Sequence, residues 1–165
     1  MDMDETRPGW HPLETASEHA EAAVRLARLG RRRVDILSAE LDPSVYNTAA
    51  LAEALRQVAV TASKPRIRIL LESSKPLVRH KHRLLALARK LPTAIAIREL
   101  APEAELPETV WMMVDGRGAL WRRRSEGYRG GWHPDNAGPC RLWLREFNAL
   151  WDYSVESPEV KVLPL

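Results

Sequence analysis

Residues 108–121 read Glu108-Thr-Val-Trp-Met-Met-Val-Asp115-Gly116-Arg-Gly118-Ala-Leu-Trp121, and this stretch is the clearest indication of a fold in the chain. A run of β-forming side chains precedes an Asp-Gly pair, and a second short apolar run follows it. An Asp-Gly pair between two such runs is typical of a two-residue hairpin turn, because the central positions of that turn need positive φ. We therefore predict a β-hairpin over residues 109–123.

The chain before the hairpin alternates between short apolar runs and helical patterns. Thr15 and Glu18 form a capping box at the start of the first predicted helix, and Gly30 marks its end. Asn47 is the predicted cap of the second helix, and Pro76 opens the third. The predicted helices cover residues 16–29, 47–62, 76–91 and a closing segment from about 139, and the predicted strands cover 34–38, 67–71 and 94–97.

This alternation predicts parallel strands joined by right-handed crossovers, to which the hairpin adds an antiparallel part. The fold class is therefore α/β, with a mixed sheet of parallel strands plus a C-terminal hairpin, flanked by helices. At 165 residues the chain is expected to hold one domain. We predict an acidic N-terminal tail over residues 1–14, a single domain over residues 15–156 and a C-terminal tail over residues 157–165.

Composition excludes several classes of protein. No apolar run approaches the length of about 18 residues that a membrane span needs. The N-terminus is acidic and lacks the apolar core of a signal peptide, so export is not expected. The single cysteine, Cys140, excludes an internal disulfide and fits a reducing compartment, so we expect a cytoplasmic protein.

Charge is distributed unevenly, although the formal net charge is only +3. Ten Lys or Arg residues lie between Lys64 and Arg98, where Glu72 is the only acid. Such a basic segment indicates an anionic partner, for example a nucleic acid bound weakly and in a salt-sensitive way. The alternative is a solvated surface that the acidic segments balance in three dimensions. On the predicted third helix, Arg79, Arg83 and Lys90 form the basic face.

Several segments carry a resemblance to a known family. The segments 36–46 and 66–71, the hairpin, and Phe147-Asn-Ala-Leu-Trp151-Asp-Tyr-Ser resemble parts of the phospholipase D-like fold. Over residues 18–155 the chain resembles a family of uncharacterised bacterial phospholipase D-like domains, which often lie beside or are fused to acetyltransferase-type domains. The resemblance implies a single lobe of that fold, and it implies that two such lobes pair around a two-fold axis.

The resemblance also shows where catalysis is lost. The family's motif places a His, a Lys two residues later and an Asp five residues beyond the Lys. With Asp115 as the aspartate, the lysine position holds Val110 and the histidine position holds Glu108. In active relatives the His attacks phosphorus and the Lys binds the phosphoryl oxygens. We therefore expect no catalytic residues of this type, no metal and no cofactor, and Asp115 has a simpler role as the cap of the hairpin turn.

A few residues remain as candidates for a binding site. Arg122 lies near the place where this fold keeps its phosphate-handling residues, so it either holds an anion or pairs with Asp115 or Glu108. His80 and His82 are two residues apart on a predicted helix, so they cannot share one metal. The candidate ligand-binding residues are Tyr46, Arg79, His82, Arg83, Lys90, Asp115 and Arg122.

The first hypothesis is a non-catalytic phospholipase D-like domain that binds an anionic ligand or a protein partner. The alternative is an enzyme that reuses the old cleft, with Tyr46, His82 and either Glu108 or Asp115 as acid and base groups. A third hypothesis is an accessory module of an acetyltransferase. The resemblance further implies a homodimer, with an interface near Trp121 and Trp132, because large aromatic side chains anchor interfaces. Trp132 and Trp10 could equally fold back over the edge of the domain.

Overall fold

The computed structural model describes residues 8–161, in which eight strands form one mixed sheet. The strands are β1 (His11–Leu13), β2 (Arg33–Ser38), β3 (Arg66–Leu71), β4 (Ile95–Glu99), β5 (Thr109–Val114), β6 (Gly118–Arg123), β7 (Gly130–His133) and β8 (Val155–Glu156). Their order across the sheet is β1-β7-β6-β5-β2-β3-β4-β8. Strands β2, β3 and β4 are parallel, and the other neighbours are antiparallel. The predicted α/β fold with a mixed sheet is confirmed.

Helices cover both faces of this sheet. They are α1 (Ala16–Leu29), α2 (Pro43–Tyr46), α3 (Ala49–Thr61), α4 (Lys75–Arg79), α5 (Arg83–Lys90) and α6 (Ala137–Asp152), with a 3₁₀ turn at Arg124–Glu126. Helices α1 to α5 pack on one face, against a core that includes Ile36, Ile69 and Met112. Helix α6 packs on the other face, where Trp111 lies parallel to Trp143 with ring centroids 6.3 Å apart.

A buried ion pair ties the central strands to α6. Arg68 of β3 donates to Asp35 of β2 at 2.7 Å, and both side chains are almost completely buried. The same guanidinium donates to Asn148 of α6 at 2.8 Å and lies over the ring of Phe147. The pair therefore fixes the position of α6 on the sheet, and neither charge is available to a ligand.

Local sequence signals account for the ends of the first two long helices. Thr15 accepts a hydrogen bond from the Glu18 amide and Glu18 accepts one from the Thr15 amide, so the predicted capping box is present. Helix α1 ends at Gly30, as predicted. The cap of α3 is Thr48 rather than Asn47, since the Thr48 hydroxyl accepts from the Leu51 amide. The side chain of Asn47 instead accepts from the Arg83 amide at the start of α5.

Three other elements differ from the prediction. The predicted helix over residues 76–91 is interrupted between α4 and α5, where Lys81 has a φ of 48°. The predicted loop over residues 127–138 contains β7. The predicted N-terminal tail contains β1, which pairs with β7 and so extends the sheet beyond the predicted start of the domain at residue 15. In the part of the chain that the structure describes, no helix is both long and apolar enough to cross a membrane.

Candidate functional site

The expected cleft lies at the carboxyl ends of β2 and β3, which we call the cleft edge of the sheet. Strand β5 runs antiparallel to β2, so it begins at this same edge. Glu108, Val110 and Arg122 therefore lie where ligands bind in open α/β sheets. The turn between β5 and β6 lies at the opposite edge of the sheet.

The two positions that the resemblance assigns to the catalytic His and Lys hold Glu108 and Val110, and each has a structural role. Glu108 is exposed, and its carboxylate accepts hydrogen bonds from both the amide and the hydroxyl of Ser125. These hydrogen bonds lower the pKa of Glu108, so the group stays ionised. Val110 is buried. Neither position therefore offers a nucleophile or a cation to a phosphate.

A cation is present on the neighbouring strand. Arg122 of β6 is directly opposite Val110 of β5, and side chains of such a pair project from the same face of a sheet. The Arg122 guanidinium donates to the Gly127 carbonyl at 2.9 Å and lies over the Tyr128 ring at 5.4 Å. The sequence suggested an ion pair with Asp115 or Glu108, but the contacts of Arg122 are with a carbonyl and a ring.

Polar side chains fill the space beneath Arg122. Tyr128 donates to Asp42 at 2.6 Å, and the ring of His19 is hydrogen-bonded to the Tyr128 carbonyl at 2.6 Å. Burial raises the pKa of Tyr46 and lowers that of His19, so both are neutral at ordinary pH. The cavity lined by Arg122, Tyr46 and these neighbours has a volume of only about 10 Å³. That is about the room that one water molecule needs, so this cavity cannot hold a phosphate group.

His82 is a structural residue. Its Nδ1 atom accepts a hydrogen bond from the Leu84 amide at the start of α5, and its Nε2 atom is 3.1 Å from the Leu41 carbonyl. Burial lowers the pKa of His82 to about 4, so the ring is neutral and Nε2 carries the proton that it donates to Leu41. His82 and Glu108 thus have separate partners, and Tyr46 lies in the small cavity beside Arg122, so these contacts do not assemble the three into one acid–base set.

The predicted basic face does not form one surface. Arg79 is at the end of α4, on the cleft edge. Arg83 begins α5 and donates to the Asn47 carbonyl at 3.2 Å. Lys90 ends α5, and the chain then enters β4 at the opposite edge. The interruption between α4 and α5 therefore separates Arg79 from Lys90.

Asp115 lies at the edge opposite the cleft and caps a loop as well as a turn. Its carboxylate accepts hydrogen bonds from three consecutive backbone amides: those of Arg31 at 2.9 Å, Arg32 at 2.9 Å and Arg33 at 3.0 Å. Its φ of 53° is the one that the Asp-Gly turn requires. The structure therefore does not bring Asp115 together with Arg122 or Tyr46.

This opposite edge carries a basic surface that the sequence analysis missed. Arg31 and Arg32 precede β2, and Lys64 and Arg66 lie at the start of β3 beside them. All four side chains are exposed, and we call this surface the arginine edge. The available sequence signal was the Arg31-Arg-Arg33 triplet between a helix and a strand. Within residues 8–161, no group of three His, Cys, Asp or Glu residues could hold a metal ion.

Comparison with solved structures shows the phospholipase D-like fold. The chain is similar to Nuc from Salmonella typhimurium, a phospholipase D family member, with a TM-score of 0.62 and 8% identity over 91% of this chain and 98% of that one. It is similar to NucT from Helicobacter pylori, with a TM-score of 0.62 and 11% identity over 89% of this chain and 99% of that one. At these identities the similarity shows the fold alone.

A third similar structure is TrmBL2, an archaeal chromatin protein whose structure is described as showing a novel mode of DNA binding. The TM-score is 0.64 at 12% identity, over 93% of this chain and 56% of the archaeal one. This chain therefore spans little more than half the length of that protein. No curated protein sequence matches the chain. A family profile described as "Domain of unknown function (DUF7931)" matches residues 15–163.

Proposed function

This chain belongs to the DUF7931 family, and we propose that it is a non-catalytic phospholipase D-like domain that binds an anionic ligand. The observation that carries the non-catalytic half of the proposal is the small cavity beside Val110 and Arg122. The positions that the family resemblance assigns to the nucleophile and the lysine hold Glu108 and Val110, and the cavity beside Val110 has a volume of only about 10 Å³.

The contents of the cleft argue against phosphodiester cleavage. The ionised carboxylate of Glu108 would face a phosphate of like charge, and Val110 is neutral. Arg122 supplies a positive charge opposite Val110, but its guanidinium already contacts Gly127 and Tyr128. A cavity of about 10 Å³ has no room for a phosphoryl group.

The exposed charges support an anionic ligand. The sequence pI is about 9.3, and basic side chains that form no ion pair within residues 8–161 are exposed at both edges of the sheet. At the cleft edge these are Lys75, Arg79 and Lys81, and at the opposite edge they form the arginine edge. The DNA binding named for TrmBL2 supports a polymer such as nucleic acid as the ligand.

Two assays test the two halves of the proposal. In the first, hydrolysis of an aryl phosphodiester and of plasmid DNA is expected to stay at background. Turnover that is lost in Asp115→Ala or Glu108→Gln, and kept in the exposed control Glu105→Gln, would contradict the non-catalytic function.

In the second assay, the protein is expected to be retained on heparin at low salt and released as salt rises. Absence of retention at low salt would contradict anion binding.

The finer hypotheses remain proposals. A protein partner, an acetyltransferase among them, would be tested by co-purification with the acetyltransferase encoded nearest to this chain. The alternative of an enzyme with Tyr46, His82 and Glu108 as acid and base groups gains no support from the hydrogen bonds of His82 and Glu108, which have different partners.

A further inference from the structure

We propose that the arginine edge docks on the phosphate backbone of duplex nucleic acid, and that Asp115 positions its arginines. This inference rests on the anion binding proposed above and assigns that binding to the edge of the sheet opposite the cleft edge. It gives Asp115, the one residue of the family's catalytic motif that this chain keeps, a role in binding.

The fold places the four cations on two adjacent strand ends. Strands β2 and β3 are parallel and in register, with Arg33 opposite Arg66, and the Arg66 amide donates to the Arg32 carbonyl at 3.0 Å. Neighbouring strands lie about 4.8 Å apart, so the side chains that precede β2 stand directly beside those that begin β3. The result is an exposed ridge along the end of the sheet, which suits a polymer better than a small anion.

The charges on this ridge are not neutralised within the part of the chain that the structure describes. Of the nearby acids, Asp35 is buried and pairs with Arg33 and Arg68, and Asp135 pairs with Arg117 at 3.1 Å. The Asp115 carboxylate accepts hydrogen bonds from three backbone amides. Within residues 8–161, no ion pair involves the four cations of the arginine edge.

Asp115 orders the loop that presents Arg31 and Arg32. Three hydrogen bonds from consecutive amides to one carboxylate hold the backbone of the loop against the hairpin turn, and the Asp115 amide in turn donates to the Arg33 carbonyl at 2.9 Å. A fixed backbone reduces the entropy that is lost when the arginines bind. Asp115 is therefore a positioning residue, and its own charge opposes the binding of an anion.

Duplex nucleic acid fits this ridge better than an anionic membrane does. Three of the four cations are arginine, whose planar guanidinium can donate two hydrogen bonds to one phosphate. Surfaces that lie on membranes also insert large apolar or aromatic side chains. Residues 28–33 and 60–66 contain no aromatic residue, and their exposed large apolar side chains are only Leu29 and Val60.

The test measures fluorescence anisotropy with a short labelled DNA duplex. The first variant combines Arg31→Glu, Arg32→Glu and Arg66→Glu. The matched control combines Lys75→Glu, Arg79→Glu and Lys81→Asp, which changes the net charge equally at the cleft edge. Aspartate is used at position 81 because it tolerates the φ of 48° found there. Circular dichroism establishes that each variant is folded.

The three substituted arginines contribute a slope of about −2.7 in log K against log salt, so their contacts alone weaken wild-type binding about 40-fold as salt rises from about 50 to about 200 mM. The arginine-edge variant is expected to bind at least about tenfold more weakly than the control and to show a smaller slope. Asp115→Asn removes a negative charge yet is expected to weaken binding, whereas charge alone would strengthen it.

The outcomes separate this inference from the proposed function. Equal weakening of the two triple variants, or greater weakening of the control, would overturn the arginine edge and leave anion binding intact. Tighter binding by Asp115→Asn would overturn its positioning role. Wild-type protein that binds phosphatidylserine vesicles but not the duplex would overturn nucleic acid as the ligand. Binding to neither the duplex nor heparin at low salt would overturn the proposed function as well.

Discussion

The imidazole of His82 holds together two segments that are far apart in sequence. It accepts a hydrogen bond at the start of α5 and donates one to the carbonyl of Leu41, a buried residue with a φ of 55° in the loop after β2. In sequence, His80-Lys81-His82 looks like a possible reactive cluster. In the structure, His82 is buried and has a structural role, whereas His80 is exposed on the surface.

The burial of His82 predicts that the free energy of unfolding depends on pH. Its pKa is lowered to about 4 in the folded protein, so the unfolded chain takes up a proton at higher pH than the folded one does. The stability that neutral His82 contributes is present above pH 6.5, falls by up to about 3 kcal/mol as pH drops to about 4, and does not fall further below that. The lowered pKa of His19 acts in the same direction.

The measurement is the free energy of unfolding in urea between pH 7 and pH 4, for wild type and His82→Asn. We expect the advantage of the wild type to be largest near pH 7 and to shrink towards pH 4, because the variant has no imidazole at this position to protonate. His80→Asn, which removes an exposed imidazole two residues away, is the matched control. A difference for His82→Asn that does not change with pH would show that the ring is not buried and neutral.

At the scale of elements, the short strand β1 closes one side of the sheet. It pairs with β7, and His11 stacks on Trp132 with ring centroids 4.7 Å apart. Trp10 packs so closely on Gly131 that a Cβ atom there would lie 2.4 Å from the indole nitrogen. Both tryptophans therefore cover the edge of their own domain, one of the two alternatives that the sequence left open.

The packing of β1 predicts how much a substitution at Leu13 lowers the free energy of unfolding. The Leu13 side chain is buried at the end of β1, so Leu13→Ala should lower the free energy of unfolding by about 2 kcal/mol, the lower end of the usual range because the site is at the sheet edge. The exposed neighbour Glu14 provides the control, since Glu14→Ala should change it by less than about 0.5 kcal/mol. Chemical denaturation measures the free energy of unfolding of both variants. If Leu13→Ala and Glu14→Ala lower it equally, β1 does not pack on the domain in solution.

At the scale of the whole molecule, the crossover connections separate charges that are close in sequence. The basic segment from Lys64 to Arg98 runs along β3, α4, α5 and β4, so it begins at the arginine edge, passes the cleft edge, returns, and ends near the cleft edge at Arg98. Arg31 and Arg32, from outside the segment, then complete the arginine edge. The molecule therefore has two basic surfaces at opposite ends of the sheet.

A homodimer is the prediction that belongs to this scale. The chain forms a single lobe, and a two-fold axis would bring the same surface of two copies together. Sedimentation at micromolar concentration should give a mass near twice 18.7 kDa. Because His11 already covers Trp132, the interface predicted at Trp132 is not favoured, and Trp132→Ala is expected to leave that mass unchanged. The control is Tyr153→Ala, which removes an aromatic side chain that is 80% exposed. A wild-type mass equal to that of one chain would contradict the dimer.

The sequence by itself determined the elements whose causes are local. The capping box of Thr15 and Glu18, the end of α1 at Gly30 and the Asp-Gly turn each depend on residues within one turn of chain, so their pattern is readable without a structure. The alternation of strands and helices then predicted the mixed sheet. The presence of Glu108 and Val110 at fixed spacing before Asp115 was also readable, since it is a matter of residue identity.

Tertiary structure alone decided the roles of the candidate site residues, because their partners are distant in the chain. Asp115 accepts from amides more than 80 residues away, and His82 contacts a carbonyl 41 residues away. Arg122 is opposite Val110 only because β5 and β6 pair in this register. Hydrogen bonding and burial between distant segments depend on how the whole sheet assembles, and no local pattern in the sequence specifies which side chain meets which.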